Sequence, residues 1–221
     1  MNLLLIDELG LSLPSYLVNR TSYLHKHMNL AIIKYNAGNI QSVSFALERL
    51  HVEFTITDNA DEIQKADKVI FPGVGEASTT MNYLRNKKLD QLIVSLRQPL
   101  LGICLGMQLM CKYSEENDTT CLGIFDESVK RFIPEGDFKV PHMGWNNLSL
   151  SDNWLDPNIE AKYAYFVHSY YVPVNEFTSA TTAYINPFSA AMHQNNFYAV
   201  QFHPEKSALA GELVLKSFLR L

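Results

Sequence analysis

The sequence predicts an α/β fold: a mostly parallel central sheet flanked by helices, with an additional antiparallel strand region in the C-terminal half. Three observations predict it. Short runs such as Leu30-Ala31-Ile32-Ile33 are apolar throughout, which suits strands covered on both faces. Segments with apolar residues at helical spacing alternate with those runs, and a β-α-β-α order needs a parallel sheet with helices packed on it. Beyond Cys121 the texture changes to aromatic and β-branched runs separated by Pro and Asn, which read as strands, some of them antiparallel.

Taken in order, the first strand is Leu30-Ala31-Ile32-Ile33. Gly38-Asn39 then supplies a turn and an N-cap for a helix whose Ile40, Val43, Leu47 and Leu50 fall on one face. Residues 52–57 form the second strand and 68–71 the third, cut by Pro72-Gly73. Residues 78–97 read as one helix, 99–103 as a strand, and Met107, Leu109 and Met110 as the start of another helix that continues through Cys111. Tyr163-Ala164-Tyr165-Phe166-Val167 and residues 197–202 are strands, and 208–221 close the chain as an amphipathic helix. Residues 1–27, with Pro14 and His25-Lys26-His27, read differently. They are taken as an N-terminal extension, with Met28 a second candidate start, and 28–221 as a single domain.

The 221 residues are 47% apolar and 19% charged, enough apolar matter for a sizeable core and against disorder. A net charge of -5 argues against a phosphate-backbone binder. Three cysteines without a CxxC pair fit neither a disulfide framework nor a structural zinc site, so a reducing cytoplasm is expected, with no metal and no cofactor. The uncharged run 98–111 is shorter than the ~20 residues a membrane span needs. The apolar start is broken by Asp7-Glu8 with no basic residues before it, so it is not read as a signal peptide.

Chemistry concentrates in three segments. Gly102-Ile103-Cys104-Leu105-Gly106 follows a strand and opens a helix, the G-x-S-x-G elbow with sulfur for the hydroxyl. Such a turn points the thiol out at the carboxyl end of the sheet, over a helix N-terminus that favours the thiolate. The same pentapeptide also fits a small buried residue between turn glycines. Cys111 and Cys121 lack this context, and Cys111 reads as core packing. A thiol nucleophile needs a base and the base an orienter. His203-Pro204-Glu205 offers both if the chain is extended there, putting residues i and i+2 on one side; a surface His beside a surface Glu is the bland reading. His51, His25 and His27 read as solvated, His142 and His168 as structural, and His193 as structural or exposed. Phe71-Pro72-Gly73-Val74-Gly75 is a Gly-rich turn after a strand whose backbone N–H groups suit an oxyanion, or a purely structural turn.

Several motifs in one order narrow the reading: Tyr35-Asn36-Ala37-Gly38-Asn39, Pro72-Gly73-Val74-Gly75, Gly102-Ile103-Cys104-Leu105-Gly106-Met107-Gln108, Pro141-His142-Met143-Gly144-Trp145-Asn146, His168-Ser169-Tyr170 and Gln201-Phe202-His203-Pro204-Glu205-Lys206-Ser207. Over 28–221 the chain resembles the triad-type, class I glutamine amidotransferases, and within them the glutaminase subunits of imidazole glycerol phosphate synthases. The resemblance implies a flavodoxin-like sheet and hydrolysis of L-glutamine to glutamate and ammonia through a glutamyl thioester. By the same carry-over Cys104 is the nucleophile, His203 the base and Glu205 its orienter. Val74 and Leu105 supply the oxyanion N–H groups, and Gly75, Gln108, Glu116, Ser169 and Tyr170 hold the substrate. The implied partner is a (β/α)₈-barrel synthase subunit that takes up the ammonia, docked over Met143, Trp145, Tyr165 and Lys206. An exposed Met-Trp pair suits a docking surface, although a small core beneath the loop would explain it too. Glu76-Ala77-Ser78 departs from the aromatic common in relatives at that loop. Two other readings remain: another class I amidotransferase subunit or γ-glutamyl cysteine hydrolase, and a non-catalytic scaffold. The intact Cys104, His203 and Glu205 set argues against the scaffold.

Overall fold

The structure, a computed structural model, describes residues 28–35, 39–152 and 154–221. The expected extension over 1–27, with His25 and His27, and Asn36-Ala37-Gly38 of the first turn lie outside the described residues.

The first half follows the expected alternation. Strand β1 (Leu30–Ile33) is buried at all four positions. Helix α1 (Ile40–Arg49) turns Val43, Ala46 and Leu47 inward, β2 (Phe54–Thr57) follows, and Asn59 caps α2 (Ala60–Lys65) by accepting from the N–H groups of Asp61 and Glu62. Next come β3 (Lys68–Phe71), α3 (Ala77–Asn86), α4 (Leu89–Ser95), β4 (Leu100–Ile103) and α5 (Leu105–Met110). The second half is strand-rich: β5 (Cys111–Ser114), β6 (Thr119–Thr120), β7 (Phe125–Arg131), β8 (His142–Asn147), β9 (Ser149–Leu150), β10 (Tyr163–His168), β11 (Tyr170–Tyr171), β12 (Thr178–Ala183), β13 (Pro187–Gln194) and β14 (Phe197–Val200). Helix α6 (Ala208–Leu219) ends the chain.

The main sheet has eight strands in the order β2-β1-β3-β4-β14-β13-β12-β9. It is parallel from β2 to β14 and antiparallel beyond, where β13, β12 and β9 join. Two smaller assemblies flank it, the β8–β10 ribbon and a sheet ordered β11-β7-β5-β6. Alternate residues of each central strand enter opposite cores. Leu30, Ile32, Ile70, Leu101 and Ile103 pack with α1 and α6 residues on one face. Ala31, Ile33, Val69, Phe71 and Leu100 pack with α3, α4 and α5 residues on the other. Each large aliphatic side chain buried this way contributes about 1.5–3 kcal/mol.

Three local expectations are corrected. The helix expected over 78–97 is two helices, broken at Lys87-Lys88, where Lys88 turns left-handed at φ 57°. The break lets Leu89 and Ile93 face the core, and no Gly or Pro announced it. Cys111 is not in the helix of Cys104: α5 stops at Met110 and Cys111 opens β5. All six α5 residues are buried, and Leu109-Met110 runs on into Cys111 without an end signal. Cys111 is fully buried in the core as expected. The last strand of the main sheet ends at Val200, which frees the next residues for the site.

Candidate active site

Strand β4 ends at Ile103 and α5 starts at Leu105, so Cys104 alone turns the chain. It does so at φ 53°, ψ -109°, a conformation that costs a non-glycine residue about 1–3 kcal/mol. Its N–H donates to the Val200 carbonyl at 2.8 Å, which ties the elbow to β14. Gly106 lets the first turn of α5 pack against the end of β3: a Cβ there would overlap the carbonyl oxygen of Phe71.

Gln201 and Phe202 carry the chain from β14 to His203, which is 1% exposed. His203 itself is extended, at φ -99° and ψ 98°, as expected, but the extension stops there: Pro204–Lys206 is a 3₁₀ turn, and its curl returns the Glu205 carboxylate to the imidazole. His203 Nδ1–H donates to Glu205 Oε1 at 2.8 Å, with both side chains 1% exposed. His203 Nε2 is buried and makes no hydrogen bond of ordinary geometry among the described residues, so the nitrogen on the side away from Glu205 is uncommitted. Burial pulls the imidazole toward its neutral form. The neighbouring Cys104 and the hydrogen bond and charge of Glu205 outweigh that, and its pKa is pushed up to about 10.

The oxyanion candidates lie at the same end of the sheet. Gly73 packs directly on Leu105 and Gly106, and the Leu105 N–H donates to the Gly73 carbonyl at 3.4 Å. For Leu105 to serve an oxyanion, that long bond must give way. The Tyr35 hydroxyl donates to the Pro72 carbonyl and anchors the loop's start. Gly75 stands at φ 116°, and Glu76 caps α3 by accepting from the N–H groups of Ser78 and Thr79 at 2.8 and 2.9 Å.

Of the expected substrate-holding residues, Glu116 is tied to the start of the helix that follows this loop. Glu116 Oε2 accepts from the Ala77 N–H at 2.8 Å, and burial raises its pKa, opposed by that N–H and aided by the charge of Glu76. Gln108 Nε2 donates to the Tyr170 carbonyl at 2.9 Å and to Gln201 Oε1 at 3.0 Å. Both amide hydrogens are therefore committed, and only its oxygen is left for a ligand. The Ser169 carbonyl accepts from the Phe132 N–H at 2.9 Å. Met143 and Trp145 are 64% and 53% exposed on β8. Tyr165 sits opposite Trp145 in the β8–β10 register, with ring centroids 5.9 Å apart, and Lys206 Nζ lies 5.9 Å from the Tyr165 ring centre. The four form one outward patch rather than a small core. Among the described residues no group of three His, Cys, Asp or Glu side chains could hold a metal ion, and no helix is long and apolar enough to cross a membrane.

Residues 31–220 match the family model described as glutamine amidotransferase class-I. The chain belongs to that family. Among curated relatives, it is 60% identical over 196 residues to the imidazole glycerol phosphate synthase subunit HisH of Bacteroides fragilis, covering 88% of this chain and 100% of that one. The HisH subunit of Idiomarina loihiensis is 45% identical over 195 residues, covering 88% and 98%. Among solved structures, one described as a glutamine amidotransferase superposes with a TM-score of 0.67 at 18% identity, covering 86% of this chain and 97% of that one. Another glutamine amidotransferase, from Thermotoga maritima, gives 0.57 at 16% identity, covering 89% and 82%.

Three residues of this amidotransferase site escaped sequence reasoning as individuals. Gln201, fully buried, donates Nε2 to Cys104 Sγ at 3.7 Å. Tyr35 anchors the start of the loop after β3 through the Pro72 carbonyl. Asn39 turns its amide toward Glu205 rather than capping α1. Each belongs to a motif, but only the fold reveals which atom it meets.

Proposed function

We propose that this amidotransferase is the glutaminase subunit of an imidazole glycerol phosphate synthase, acting in histidine biosynthesis. The observation that carries the chemistry is the buried His203–Glu205 pair coupled to a cysteine on a one-residue elbow. Full-length likeness to HisH subunits supports the assignment to that enzyme.

In this reading the Cys104 thiol has given its proton to His203 Nε2, whose raised pKa favours holding it, and Sγ attacks the side-chain carboxamide carbon of glutamine. Glu205 holds the imidazole in the Nδ1–H tautomer and balances the imidazolium. The carbonyl oxygen becomes an oxyanion, met by the N–H groups of Leu105 and Val74 once Leu105 is released from Gly73. The C–N bond then breaks, and His203 returns the proton to the departing nitrogen, giving ammonia and a γ-glutamyl thioester. Water attacks the thioester, His203 takes its proton, the C–S bond breaks, and glutamate leaves with the thiol restored. Glu116 meets the α-ammonium of glutamine, as a fixed carboxylate suits a fixed cation. Gly75, the oxygen of Gln108, Ser169 and Tyr170 line the rest.

Ammonia released into water protonates and diffuses away, so a partner must receive it. The patch of Met143, Trp145, Tyr165 and Lys206 is the proposed dock for a (β/α)₈-barrel synthase subunit. It is wired to the triad: the His203 N–H donates to the Tyr165 carbonyl at 3.0 Å, and the Tyr165 N–H donates to Ser207 Oγ at 2.9 Å. Three free cysteines favour a reducing compartment, the cytoplasm. The test is glutamine hydrolysis with and without the barrel partner and its ligand, on wild type and Cys104→Ala. Ammonia release should rise with the loaded partner and fall by about 10⁴-fold or more in the variant, with partner binding retained. Unchanged release in Cys104→Ala rejects the nucleophile.

A further inference from the structure

We infer that Asn39 is a positioning residue for the triad, holding Glu205 so that Glu205 can hold His203; this rests on the glutaminase reading above. By sequence Asn39 is an N-cap, and Asn ranks among the best. In the structure it occupies the residue before α1 yet makes no side-chain cap hydrogen bond. The cap that its position and residue type favour is left unmade. Instead Nδ2 donates to Glu205 Oε1 and lies 3.3 Å from His203 Nδ1.

Glu205 Oε1 accepts from both Asn39 and His203, whereas Glu205 Oε2 is buried with no hydrogen-bond partner among the described residues. The carboxylate is therefore held through one oxygen by two donors. Because His203 Nδ1 already spends its proton on Oε1, the amide beside it must present N–H rather than oxygen; the opposite flip would set oxygen against carboxylate. Asn39 is itself 8% exposed and comes from an element 164 residues away from His203 in sequence. Glu205 rides on a one-turn 3₁₀ segment, so a second, distant donor fixes the carboxylate where the turn alone would let it swing.

The experiment compares Asn39→Ala and Asn39→Asp in the complex with the barrel partner. If Asn39 served only α1, Asp would replace it without loss, since Asp caps a helix as well as Asn. As a positioning residue it cannot be replaced so, because an ionised Asp faces Glu205 without a proton to give. The other titratable groups at hand are His203 and, across the imidazole, Cys104; Lys206 is turned over Tyr165. The expected result is a kcat about 10–100-fold lower in Asn39→Ala with KM for glutamine within twofold. Asn39→Asp should be as impaired at pH 8 and recover at least fivefold relative to wild type by pH 6, where a protonated Asp can donate. Melting temperatures confirm that both variants fold. Wild-type kcat in Asn39→Ala, or wild-type behaviour of Asn39→Asp from pH 6 to 8, overturns the inference. A wild-type complex that hydrolyses no glutamine fails the glutaminase reading instead.

Discussion

Cys104 is held at a backbone conformation that an ordinary residue avoids, and the hydrogen bonds that hold it come from β14 and Gln201. The strain is local to the atom that would react, as is usual of functional sites. Three histidines show how burial and partners set the sign of a pKa. His168 Nδ1 donates to the Tyr170 carbonyl at 2.7 Å, and its Nε2 lies 3.2 Å from His142 Nδ1, so the pair is satisfied while neutral. Burial lowers His142 to about 4 and His168 to about 3, with the neighbouring imidazoles adding to the fall at His168. Below pH 6.5 the unfolded chain takes up protons that these folded imidazoles refuse, so stability falls with pH across 6.5 to 4. His168 alone should cost about 2 kcal/mol by pH 5. His203 has the opposite sign. Its raised pKa contributes stability that is fully present below pH 6.5 and lost as pH rises through about 10. Urea midpoints should therefore drop between pH 6.5 and pH 5 and again above pH 8; a flat profile from 6.5 to 5 contradicts the neutral buried pair.

At the scale of elements, the β8–β10 ribbon sets alternate residues on opposite faces. Met143, Trp145 and Tyr165 point outward, while His142, Ala164, Phe166 and His168 are buried. Exposed aromatic area of this kind is costly in a chain with no partner and characteristic of a binding hot spot. Trp145→Ala should weaken association with the barrel partner about 30-fold, as loss of an anchor worth about 2 kcal/mol would, with the chain's melting temperature nearly unchanged. Wild-type affinity and coupling would remove the ribbon from the interface. The sequence already marked β1, β3 and β4 within a residue, because Lys34 ends the first run, Pro72-Gly73 ends the second, and Pro99 and the elbow glycines bracket the third. It missed the break between α3 and α4, where only Lys87-Lys88 intervenes, and the end of α5, where Cys111 continues an apolar run. Local pattern carries no signal where tertiary packing ends a helix.

Across the whole molecule, the elbow, the loop after β3 and the segment after β14 share the carboxyl end of the parallel strands, where open α/β sheets bind ligands. The strand order places β4 between β3 and β14, so Gly73, Cys104 and His203 come from three neighbouring strands. That convergence was legible in part. The elbow pentapeptide and the His-Pro-Glu segment singled out Cys104, His203 and Glu205, and His203 is extended as the spacing required, but the extension does not reach Glu205. A 3₁₀ turn brings the carboxylate round instead. Asn39 and Gln201 were legible only as motif letters, since their partners lie 166 and 97 residues away. The most direct measurement of the central claim is to treat the complex with a chloromethyl ketone analogue of glutamine and map the modified cysteine by mass spectrometry. The account predicts one adduct on Cys104, loss of glutamine hydrolysis in step with labelling, and protection by glutamine. Labelling confined to Cys111 or Cys121, or full activity after Cys104 is modified, would contradict it.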